Sequence, residues 1–361
     1  MSSPNFSVTP QARASGSAFL RRQFVSRPPV TSRKDVDLTG KAAIITGSNS
    51  GIGLECCRQL LALGLSKLIL AVRSEAKGDT AKDALKREHP SADIEVWNLD
   101  LSAHDSILAF VERTKTLSRL DIVVHNAGMV LASQQHNSIT GHDTTFFKVY
   151  IPTNLFWPAS EVIQVNYLAT VLLTILLLPV LKSKNPSGPG RLVIVSSDVA
   201  SWAQFKERDS VPLLPAFDKK DTFDGQDRYF TSKLLGQLFL IELAKRVPAS
   251  YGVIVNLANP GLCHGSGLNR DSNGTLPGFI FGAFKQIVGY SCAVGARQLT
   301  DAAVKHGVES HGQYLEEGKV LPMAPLIYTD KGEKIAELLW RETMDEFSFV
   351  HLEDTVKGLS A

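Results

Sequence analysis

Short apolar segments alternate with helix-length segments along most of this chain, and that alternation limits the possible folds more than any other feature. The six segments are AAIIT (42–46), KLILAV (67–72), IEVWNL (94–99), DIVVH (121–125), RLVIVS (191–196) and VIVNLA (253–258). We interpret each segment as apolar along its whole length rather than at every second residue. This pattern is expected for strands that helices cover on both faces. The sequence therefore predicts an α/β fold, a doubly wound parallel sheet with helices on both faces.

The predicted sheet belongs to a single domain. The chain has 361 residues, 44% of them hydrophobic and 20% charged, which is enough for a full core. No repeat and no linker-like change of composition interrupts residues 38–350, so this range is predicted to contain both a cofactor site and a substrate cleft. Residues 1–37 are predicted to form a flexible N-terminal extension, and residues 351–361 a C-terminal tail.

The first 34 residues contain many serines, no Asp and no Glu. Their basic residues are Arg13, Arg21, Arg22, Arg27, Arg33 and Lys34. This composition is typical of an organellar transit peptide, and it also suits a solvated extension whose short amphipathic piece, AFLRRQF, rests on the domain. We favour the extension and expect a cytoplasmic protein, with an organellar or membrane-associated location as the alternative.

Charge and cysteine content argue against several kinds of partner. The net charge is +2 and the basic residues are spread along the chain, so a nucleic-acid partner is not expected. The four cysteines, Cys56, Cys57, Cys263 and Cys292, have neither the pairing of a disulfide framework nor the spacing of a zinc site. We therefore expect no metal site, and packing rather than redox chemistry for Cys56 and Cys57.

Two apolar stretches stand out. YLATVLLTILLLPVL (167–181) is shorter than the roughly 18 residues of a membrane span and is predicted to be a buried helix. Contact with a second subunit, and hence a homo-oligomer, stays open. LPGFIFGAFKQIVGY (276–290) suits either a substrate lid or a surface that touches a membrane, and of these membrane contact is not favoured.

The first predicted strand runs into ITGSNSGIG, with glycines at the turn into a helix. Backbone must come close to a diphosphate at such a turn, and the N–H groups of the helix start favour negative charge. The turn therefore indicates a Rossmann-type dinucleotide site, although glycine-rich turns also occur without a nucleotide. Its predicted contacts are Gly47, Ser48, Ser50, Gly51, Ile52 and Gly53.

A basic residue follows the second predicted strand, where this fold selects its cofactor. Folds of this kind place an acid there for the ribose of NAD, or an arginine for the 2′-phosphate of NADP. Here the neutral Val72 is followed by Arg73, whose guanidinium suits a phosphate. NADP(H) is therefore the predicted cofactor, and the alternative is that Arg73 only caps a strand end in water.

Two further strand ends approach the predicted nucleotide. The third strand ends in NLDLS, which places Asp100 and Leu101 near the adenine edge. The fourth ends in HNAG, where Asn126, Ala127 and Gly128 would pass beside the ribose. Plain turn chemistry accounts equally well for either segment.

The stretch DRYFTSKLL places Tyr229 four residues before Lys233. Residues four apart on a helix share a face, so the ammonium would stand beside the phenol. Moving a phenol pKa from about 10 toward 7 requires roughly 4 kcal/mol, which a desolvated ammonium and the positive charge of a nicotinamide could supply together. Such pairs also occur by chance in many helices, so the other motifs decide the role of this one.

With ITGSNSGIG, HNAG, YFTSK and NPG in this order, the chain resembles the short-chain dehydrogenase/reductase family from residue 38 to its C-terminus. Segments such as ILAVR, VNYLAT, IVSS and ELLWRETMDEF resemble those of fungal members related to retinol dehydrogenases. The resemblance implies an oxidoreductase that acts on a ketone or a secondary alcohol.

The resemblance also implies roles for individual residues. Tyr229 would be the general acid in carbonyl reduction and the base in alcohol oxidation. Lys233 would hold the nicotinamide ribose and lower the pKa of the phenol. Ser197, at the end of the fifth strand, would hydrogen-bond the substrate oxygen, and Asn166 would hold a water of the proton relay.

The chain departs from the family pattern around the substrate. NPG, with Pro260 and Gly261, would lie at the cofactor, but LCHGSGL replaces the threonine that often follows, with Ser266 as its candidate substitute. Residues 129–160 and 198–228 form long inserts that would line the substrate cleft. The first insert is alternatively a stretch that the gene model should not include.

The sequence as a whole predicts an NADP(H)-dependent oxidoreductase that reduces a ketone or oxidises a secondary alcohol on an apolar small molecule. The resemblance to fungal members suggests secondary metabolism, such as the tailoring of a polyketide or terpenoid. Two alternatives stay open: a membrane-associated dehydrogenase of the retinol or lipid type, and a regulatory protein that senses NADP(H) without turnover.

Overall fold

The computed structural model describes residues 6–131, 160–185, 188–219, 223–268 and 276–360. Its strands are β1 Ala42–Thr46, β2 Lys67–Val72, β3 Asp93–Asn98, β4 Ile122–His125, β5 Gly190–Val195, β6 Val253–Ala258, β7 Cys263–His264, β8 Tyr290–Ser291, β9 Tyr314–Glu316 and β10 Lys319–Leu321. Eight of these strands form one sheet in the order β10-β9-β6-β5-β4-β1-β2-β3, and β7 pairs with β8. Every neighbouring pair in the large sheet is parallel except β9 with β10, so the predicted doubly wound sheet is confirmed.

The helices connect the strands and cover both faces of the sheet. They are α1 Pro10–Ala14, α2 Gly16–Val25, α3 Gly51–Ala62, α4 Glu75–Glu88, α5 His104–Thr114, α6 Glu161–Ile163, α7 Ala169–Ser183, α8 Gly225–Arg246, α9 Leu276–Val288, α10 Cys292–Val304, α11 Asp330–Glu346 and α12 Leu352–Leu359. A π-helical turn, Gln164–Leu168, joins α6 to α7 without a break.

Strand β1 shows why these segments are apolar at consecutive positions. Ile44 packs into the core on one face of the sheet, together with residues of α7 and α8. Ala43 and Ile45 pack into the core on the opposite face, together with residues of α3 and α10. Successive side chains of a strand point to opposite faces, so a sheet that is covered twice requires apolar residues at every position.

Strand β3 differs from the predicted two-sided burial. It begins and ends one residue earlier than predicted, and it lies at the edge of the sheet. Asp93 and Asn98 are exposed, and Lys67 of the neighbouring strand bonds to Asp93 at 2.6 Å. An edge strand has a neighbour on one side only, which leaves room for polar side chains.

The hairpin β9–β10 was not predicted from the sequence. Its strands have three residues each, and Glu317 and Gly318 between them have φ of 57° and 69°. Positive φ at both central residues is typical of the tight turns that join antiparallel strands. Because β9 also pairs with β6, the hairpin extends the sheet beyond its last predicted strand.

Both chain ends differ from the prediction. The extension, predicted to be flexible up to residue 37, contains helices α1 and α2, and the side chain of Arg13 within it is only 2% exposed. The predicted tail contains α12, whose Leu352, Val356 and Leu359 are buried in the core. Both ends pack because their buried side chains meet partners that are distant in the sequence.

The long apolar helix was predicted to be buried, and it is. The continuous helix Glu161–Ser183 is the one helix within the described ranges that is long and apolar enough to cross a membrane by length and composition. Yet 83% of its most apolar 18-residue stretch is buried inside the protein. Its apolar residues therefore pack in the core of the domain.

The insert 129–160 and the apolar stretch 276–290 have different outcomes. Most of the insert 129–160 lies outside the described residues, since the structure describes only its ends. The stretch 276–290 forms α9, on which Phe279, Ile280 and Ile287 are exposed by 75%, 61% and 75%. The lid and the membrane surface both stay open for α9.

Candidate active site

The carboxyl ends of β1, β4, β5 and β6 lie side by side at one edge of the sheet. This edge carries the glycine turn after β1, the HNAG segment after β4, Ser197 after β5 and the NPG segment after β6. Ligands of doubly wound sheets bind in the crevice outside the carboxyl ends of the strands. The parallel topology therefore brings together four motifs that are up to about 200 residues apart.

The glycine turn has the geometry that a diphosphate requires. Gly47 and Gly51 have φ of 64° and 61°, a region that residues with a side chain rarely adopt. A Cβ at Gly53 would lie 2.5 Å from Nδ2 of Asn126 and 2.6 Å from the Gly47 carbonyl oxygen. The N-terminus of α3 therefore presents bare backbone to the crevice, and the residues present fit a dinucleotide.

Asn126 of HNAG fixes this turn in place. Its Nδ2 donates to the carbonyl oxygens of Thr46 at 3.0 Å and Gly47 at 3.2 Å. The Ala127 N–H donates to Oγ1 of Thr46 at 2.9 Å. Sequence reasoning placed HNAG beside the ribose, and the structure adds that it ties the end of β4 to the end of β1.

Several predicted cofactor contacts occupy different environments. Ser48 is fully buried beneath the turn, so its contact with a bound nucleotide stays a prediction. Ser50 is exposed and precedes α3, and Ile52 is half-buried in its first turn. Ser266 lies beside the turn, because a Cβ at Gly51 would be 3.5 Å from its Cα.

Arg73 and the NLDLS segment lie at the ends of β2 and β3. Arg73 is exposed, and within the described ranges no carboxylate pairs with its guanidinium. Oδ1 of Asp100 accepts from the N–H and the hydroxyl of Ser102 at 2.9 and 2.6 Å. Turn chemistry thus accounts for Asp100, while Leu101 is buried, so adenine contacts by this segment stay a prediction.

Tyr229 and Lys233 stand on the first turns of α8. Nζ of Lys233 is 5.8 Å from the centre of the Tyr229 ring and donates to the Val195 carbonyl oxygen at 2.9 Å. Burial lowers the pKa of Lys233 to about 8, because the ammonium is removed from water. Burial also raises the pKa of the Tyr229 phenol above its ordinary value. The protein's own groups therefore keep the phenol protonated at neutral pH.

Asn166 links the two halves of the site. It lies in the π-helical turn, and such turns are frequent at functional sites. Its Nδ2 donates to the Met129 carbonyl oxygen at 2.9 Å and to Oγ of Ser232 at 3.0 Å. Its Oδ1 accepts from the Met129 N–H at 2.8 Å. Both amide hydrogens of Asn166 therefore bond to protein partners. The predicted water could then only donate a hydrogen bond to an oxygen of Asn166.

Ser232, which sequence reasoning left without a role, and Gly128, which it placed beside the ribose, complete this arrangement. The Ser232 hydroxyl donates to the Tyr229 carbonyl oxygen at 2.7 Å and so connects Asn166 to the helix of the tyrosine. A Cβ at Gly128 would lie 3.3 Å from Oδ1 of Asn166 and 3.7 Å from Nζ of Lys233. The position of Ser232 directly before Lys233 was the one signal available in the sequence.

Ser197 and the NPG segment lie at the ends of β5 and β6. Ser197 precedes the short 3-10 helix Asp198–Trp202, and its Oγ accepts weakly from the Val199 N–H at 3.4 Å. Gly261 has a φ of 74°, and its N–H donates to Oδ1 of Asn259 at 3.0 Å. Asn259 and Pro260 are buried, whereas Gly261 is half-buried, so Gly261 is the part of this segment that reaches the surface.

Metal and thiol chemistry find no support in the described part of the chain. No group of three His, Cys, Asp or Glu residues is arranged there to hold a metal ion. Cys56 and Cys57 belong to α3 and are fully buried in the core. Burial raises the pKa of the Cys56 thiol to about 12, as expected of a packing residue.

A glycine turn over a parallel sheet, with a tyrosine and a lysine one helical turn apart beside it, defines an oxidoreductase that uses a nicotinamide cofactor. Residues 41–207 match the family model described as short chain dehydrogenase. The chain is 45% identical to the short-chain dehydrogenase fogG of Aspergillus ruber, over 98% of this chain and 99% of that protein. It is 43% identical to the short chain dehydrogenase/reductase mfmJ of Annulohypoxylon moriforme, over 94% of each.

Solved structures agree on the fold. An uncharacterised protein of Mycobacterium paratuberculosis superposes with a TM-score of 0.59 at 22% identity, covering 89% of this chain and 98% of that one. An NADPH-bound short chain oxidoreductase of Pseudomonas aeruginosa gives 0.55 at 22% identity, covering 77% and 95%. This chain belongs to the short-chain dehydrogenase/reductase family, whose members interconvert alcohols and carbonyl compounds with a nicotinamide cofactor.

Proposed function

We propose that this protein is an NADP(H)-dependent reductase or dehydrogenase acting on a ketone or secondary alcohol of an apolar small molecule. The observation that carries the proposal is the assembly of Tyr229, Lys233, Asn166 and Gly128 at the carboxyl ends of β4 and β5. The fungal relatives support a place in secondary metabolism, and within it we propose the tailoring of a polyketide or terpenoid. A cytoplasmic location remains part of the proposal.

The residues of the chain would handle the proton. A bound nicotinamide would supply or accept a hydride, which carries the electron pair together with the hydrogen on the carbinol carbon. In reduction, the protonated Tyr229 donates its proton to the substrate oxygen while Ser197 hydrogen-bonds the same oxygen. In oxidation, Tyr229 must first lose its proton, which the nearby charge of Lys233 favours. With a pKa of about 8, Lys233 is still charged at neutral pH.

The preference for NADP(H) rests on Arg73. Its exposed guanidinium stands at the end of β2, where a carboxylate would be expected for NAD. Bound NADP and NADPH are recorded for structural neighbours from Shigella flexneri and Pseudomonas aeruginosa, in agreement with this assignment.

The catalytic assignment is tested by Tyr229→Phe. The variant keeps the ring that packs near Phe230 and removes only the proton donor. We expect NADPH consumption with a panel of apolar ketones to fall by about 100-fold or more, with NADPH binding and thermal stability retained. Unchanged turnover would overturn the assignment, and a wild-type protein that binds NADPH but turns over no ketone would favour the sensor instead.

The cofactor assignment is tested by Arg73→Asp. We expect the KM for NADPH to rise by about 10-fold or more, because the new carboxylate repels a 2′-phosphate, while the KM for NADH changes little or falls. Arg87→Asp, at the far end of α4 and also exposed, is the matched control for the change of charge. Equal effects on the two cofactors would refute the 2′-phosphate argument.

The exposed face of α9 favours one variant of this function, a dehydrogenase that works at a membrane. Phe279, Ile280, Phe284 and Ile287 are exposed on this helix, which contains no acidic residue. Co-sedimentation with phospholipid vesicles tests the variant. Phe279→Ser with Ile287→Ser should release the protein from the vesicles, and a wild-type protein that stays in the supernatant would exclude it.

A further inference from the structure

The N-terminal helices pack against the loop that follows the candidate catalytic serine. Arg13 of α1 donates from Nη2 to Oδ1 of Asp198 at 2.9 Å and to Oε2 of Glu316 at 2.9 Å. The same atom is 2.5 Å from the Tyr314 hydroxyl, and the guanidinium lies 4.2 Å from the centre of that ring. The side chains of Arg13, Asp198 and Glu316 are each at most 7% exposed.

A second arginine completes the cluster. Nη2 of Arg22 donates to Oδ1 of Asp198 at 2.8 Å, and its Nε lies 3.4 Å from Oε1 of Glu316. Nη1 of Arg22 also donates to the Arg13 carbonyl oxygen at 3.1 Å, which ties α2 to α1. Two guanidinium groups thus face two carboxylates, so the buried charges balance.

One side of the cluster leads to Ser197. Asp198 is the next residue in the chain and opens the 3-10 helix Asp198–Trp202. The other end of that helix is held by the same N-terminal segment, because Nε1 of Trp202 donates to the Ala14 carbonyl oxygen at 2.8 Å. The ring of Phe19 packs edge-on against Trp202 at 5.2 Å. The N-terminal helices therefore contact the loop after Ser197 at two residues, Asp198 and Trp202.

The other side of the cluster leads to the NPG segment. Oε1 of Glu316 accepts from Nδ2 of Asn259 at 2.7 Å, and Oδ1 of Asn259 accepts from the Gly261 N–H at 3.0 Å. Gln23 of α2 holds the next residue from both sides, donating to the Leu262 carbonyl oxygen at 3.0 Å and accepting from its N–H at 3.2 Å. The same two helices thus fix both loops that border the candidate nicotinamide and substrate positions.

We propose that Arg13 is a positioning residue of this active site, acting on Ser197 through Asp198 and on Gly261 through Glu316 and Asn259. The N-terminal segment 10–25 is then a working part of the enzyme. The inference rests on the proposed oxidoreductase function, since it assigns Arg13 an effect on the group that meets the substrate oxygen.

The test must not leave a buried charged group without an oppositely charged partner. Arg13→Met alone leaves two carboxylates facing one guanidinium, which destabilises the fold whatever the role of Arg13. The double variant Arg13→Met/Asp198→Asn keeps one positive and one negative charge. It is compared with Arg13→Met/Glu316→Gln, which also keeps one positive and one negative charge, and with Arg21→Ala, an exposed arginine on the same helix as Arg22.

Two readouts are measured on each variant: ketone turnover per NADPH-binding site, and hydrogen–deuterium exchange over residues 196–204. For Arg13→Met/Asp198→Asn we expect kcat to fall by about 100-fold, as for a displaced catalytic contact, with faster exchange over 196–204. In Arg13→Met/Glu316→Gln we expect, in addition, a severalfold higher Kd for NADPH. Arg21→Ala should match the wild type in both readouts.

The outcomes separate the two hypotheses. A double variant with a lower melting temperature but an unchanged kcat per binding site would reduce Arg13 to a stabilising role and overturn the inference. If the wild type turns over no ketone, the proposed function fails first, and exchange alone decides. Faster exchange over 196–204 in the double variant would then support the inference that Arg13 positions the loop after Ser197. Unchanged exchange would overturn that inference.

Discussion

Lys233 brings its charge into a half-buried site with one fixed acceptor, the Val195 carbonyl oxygen 2.9 Å away. Its pKa of about 8 lies below the ordinary 10.5. Between pH 8 and 10.5, Lys233 is protonated in the unfolded chain but has lost its proton in the folded protein. The burial of its charge lowers the free energy of unfolding, and this penalty disappears as the pH rises through that range. Below pH 8 the cost is present in full.

Lys233→Met should therefore separate activity from stability. At pH 7 we expect ketone reduction to fall by about 100-fold or more, while the free energy of unfolding stays equal or rises. Any gain in stability should shrink between pH 8 and 10.5, as measured by urea unfolding across this range. Lys334→Met, at an exposed lysine of α11, is the control for the loss of a lysine and should leave ketone reduction unchanged. A large loss of stability at pH 7 would mean that the ammonium holds the fold together.

At the scale of residues, the site residues that could be predicted are those that lie a few positions apart in the sequence. The spacing of Tyr229 and Lys233 places both on one face of α8, as the structure shows. The contacts of Asn166 with Met129 and Ser232 could not be predicted, because they join segments 37 and 66 residues apart. Ser48 was assigned from its place in a motif, whereas its burial is set by the packing around the turn.

At the scale of elements, the start of α3 depends on the absence of a side chain at Gly53. A Cβ there would meet Nδ2 of Asn126 and the Gly47 carbonyl oxygen at 2.5 and 2.6 Å, both of which are held by hydrogen bonding. The Asn126 amide cannot retreat without releasing the turn after β1. The turn and the end of β4 thus behave as one unit.

Gly53→Ala should destabilise the protein by about 2 kcal/mol, as overpacking does, and raise the Kd for NADPH by about 10-fold or more. Gly236→Ala is the matched control, because a Cβ at this position of α8 meets nothing within 4 Å. In the helix interior the control should instead stabilise by up to about 1 kcal/mol. Urea unfolding and cofactor titration measure both effects, and the same sign for the two variants would contradict this account.

Elements were predictable where a long apolar pattern marks them. Strands β1, β2 and β6 have the bounds that the sequence predicts. Strands β9 and β10 escaped detection because three residues are too few to show a period, and their place is set by pairing with β6.

At the scale of the whole molecule, the two chain ends close the structure. Helix α12 buries Leu352, Val356 and Leu359 in the core that contains α7 and α8, and the Ser360 hydroxyl donates to the Arg246 carbonyl oxygen at 2.6 Å. The residues after 350, predicted to be a tail, thus cover one side of the domain.

Leu352→Ala should lower the free energy of unfolding by about 3 kcal/mol, because a fully buried leucine is replaced by a cavity. Lys357→Ala, on the exposed side of the same helix, should change it by less than about 0.5 kcal/mol. Urea unfolding of both variants provides the measurement. A loss below about 1 kcal/mol for Leu352→Ala would show that the packing of α12 contributes little to the stability of the domain.

The sequence by itself determined the parallel sheet, the nucleotide turn and the pairing of Tyr229 with Lys233, because each depends on short-range periodicity or spacing. Tertiary structure alone decided that Arg13 is buried against Asp198 and Glu316, which lie 185 and 303 residues further along the chain. The acid-free, arginine-rich composition of the first 34 residues suits a solvated segment as well as a buried one. Only the placement of two carboxylates by distant loops supplies the partners that make burial of its charge favourable.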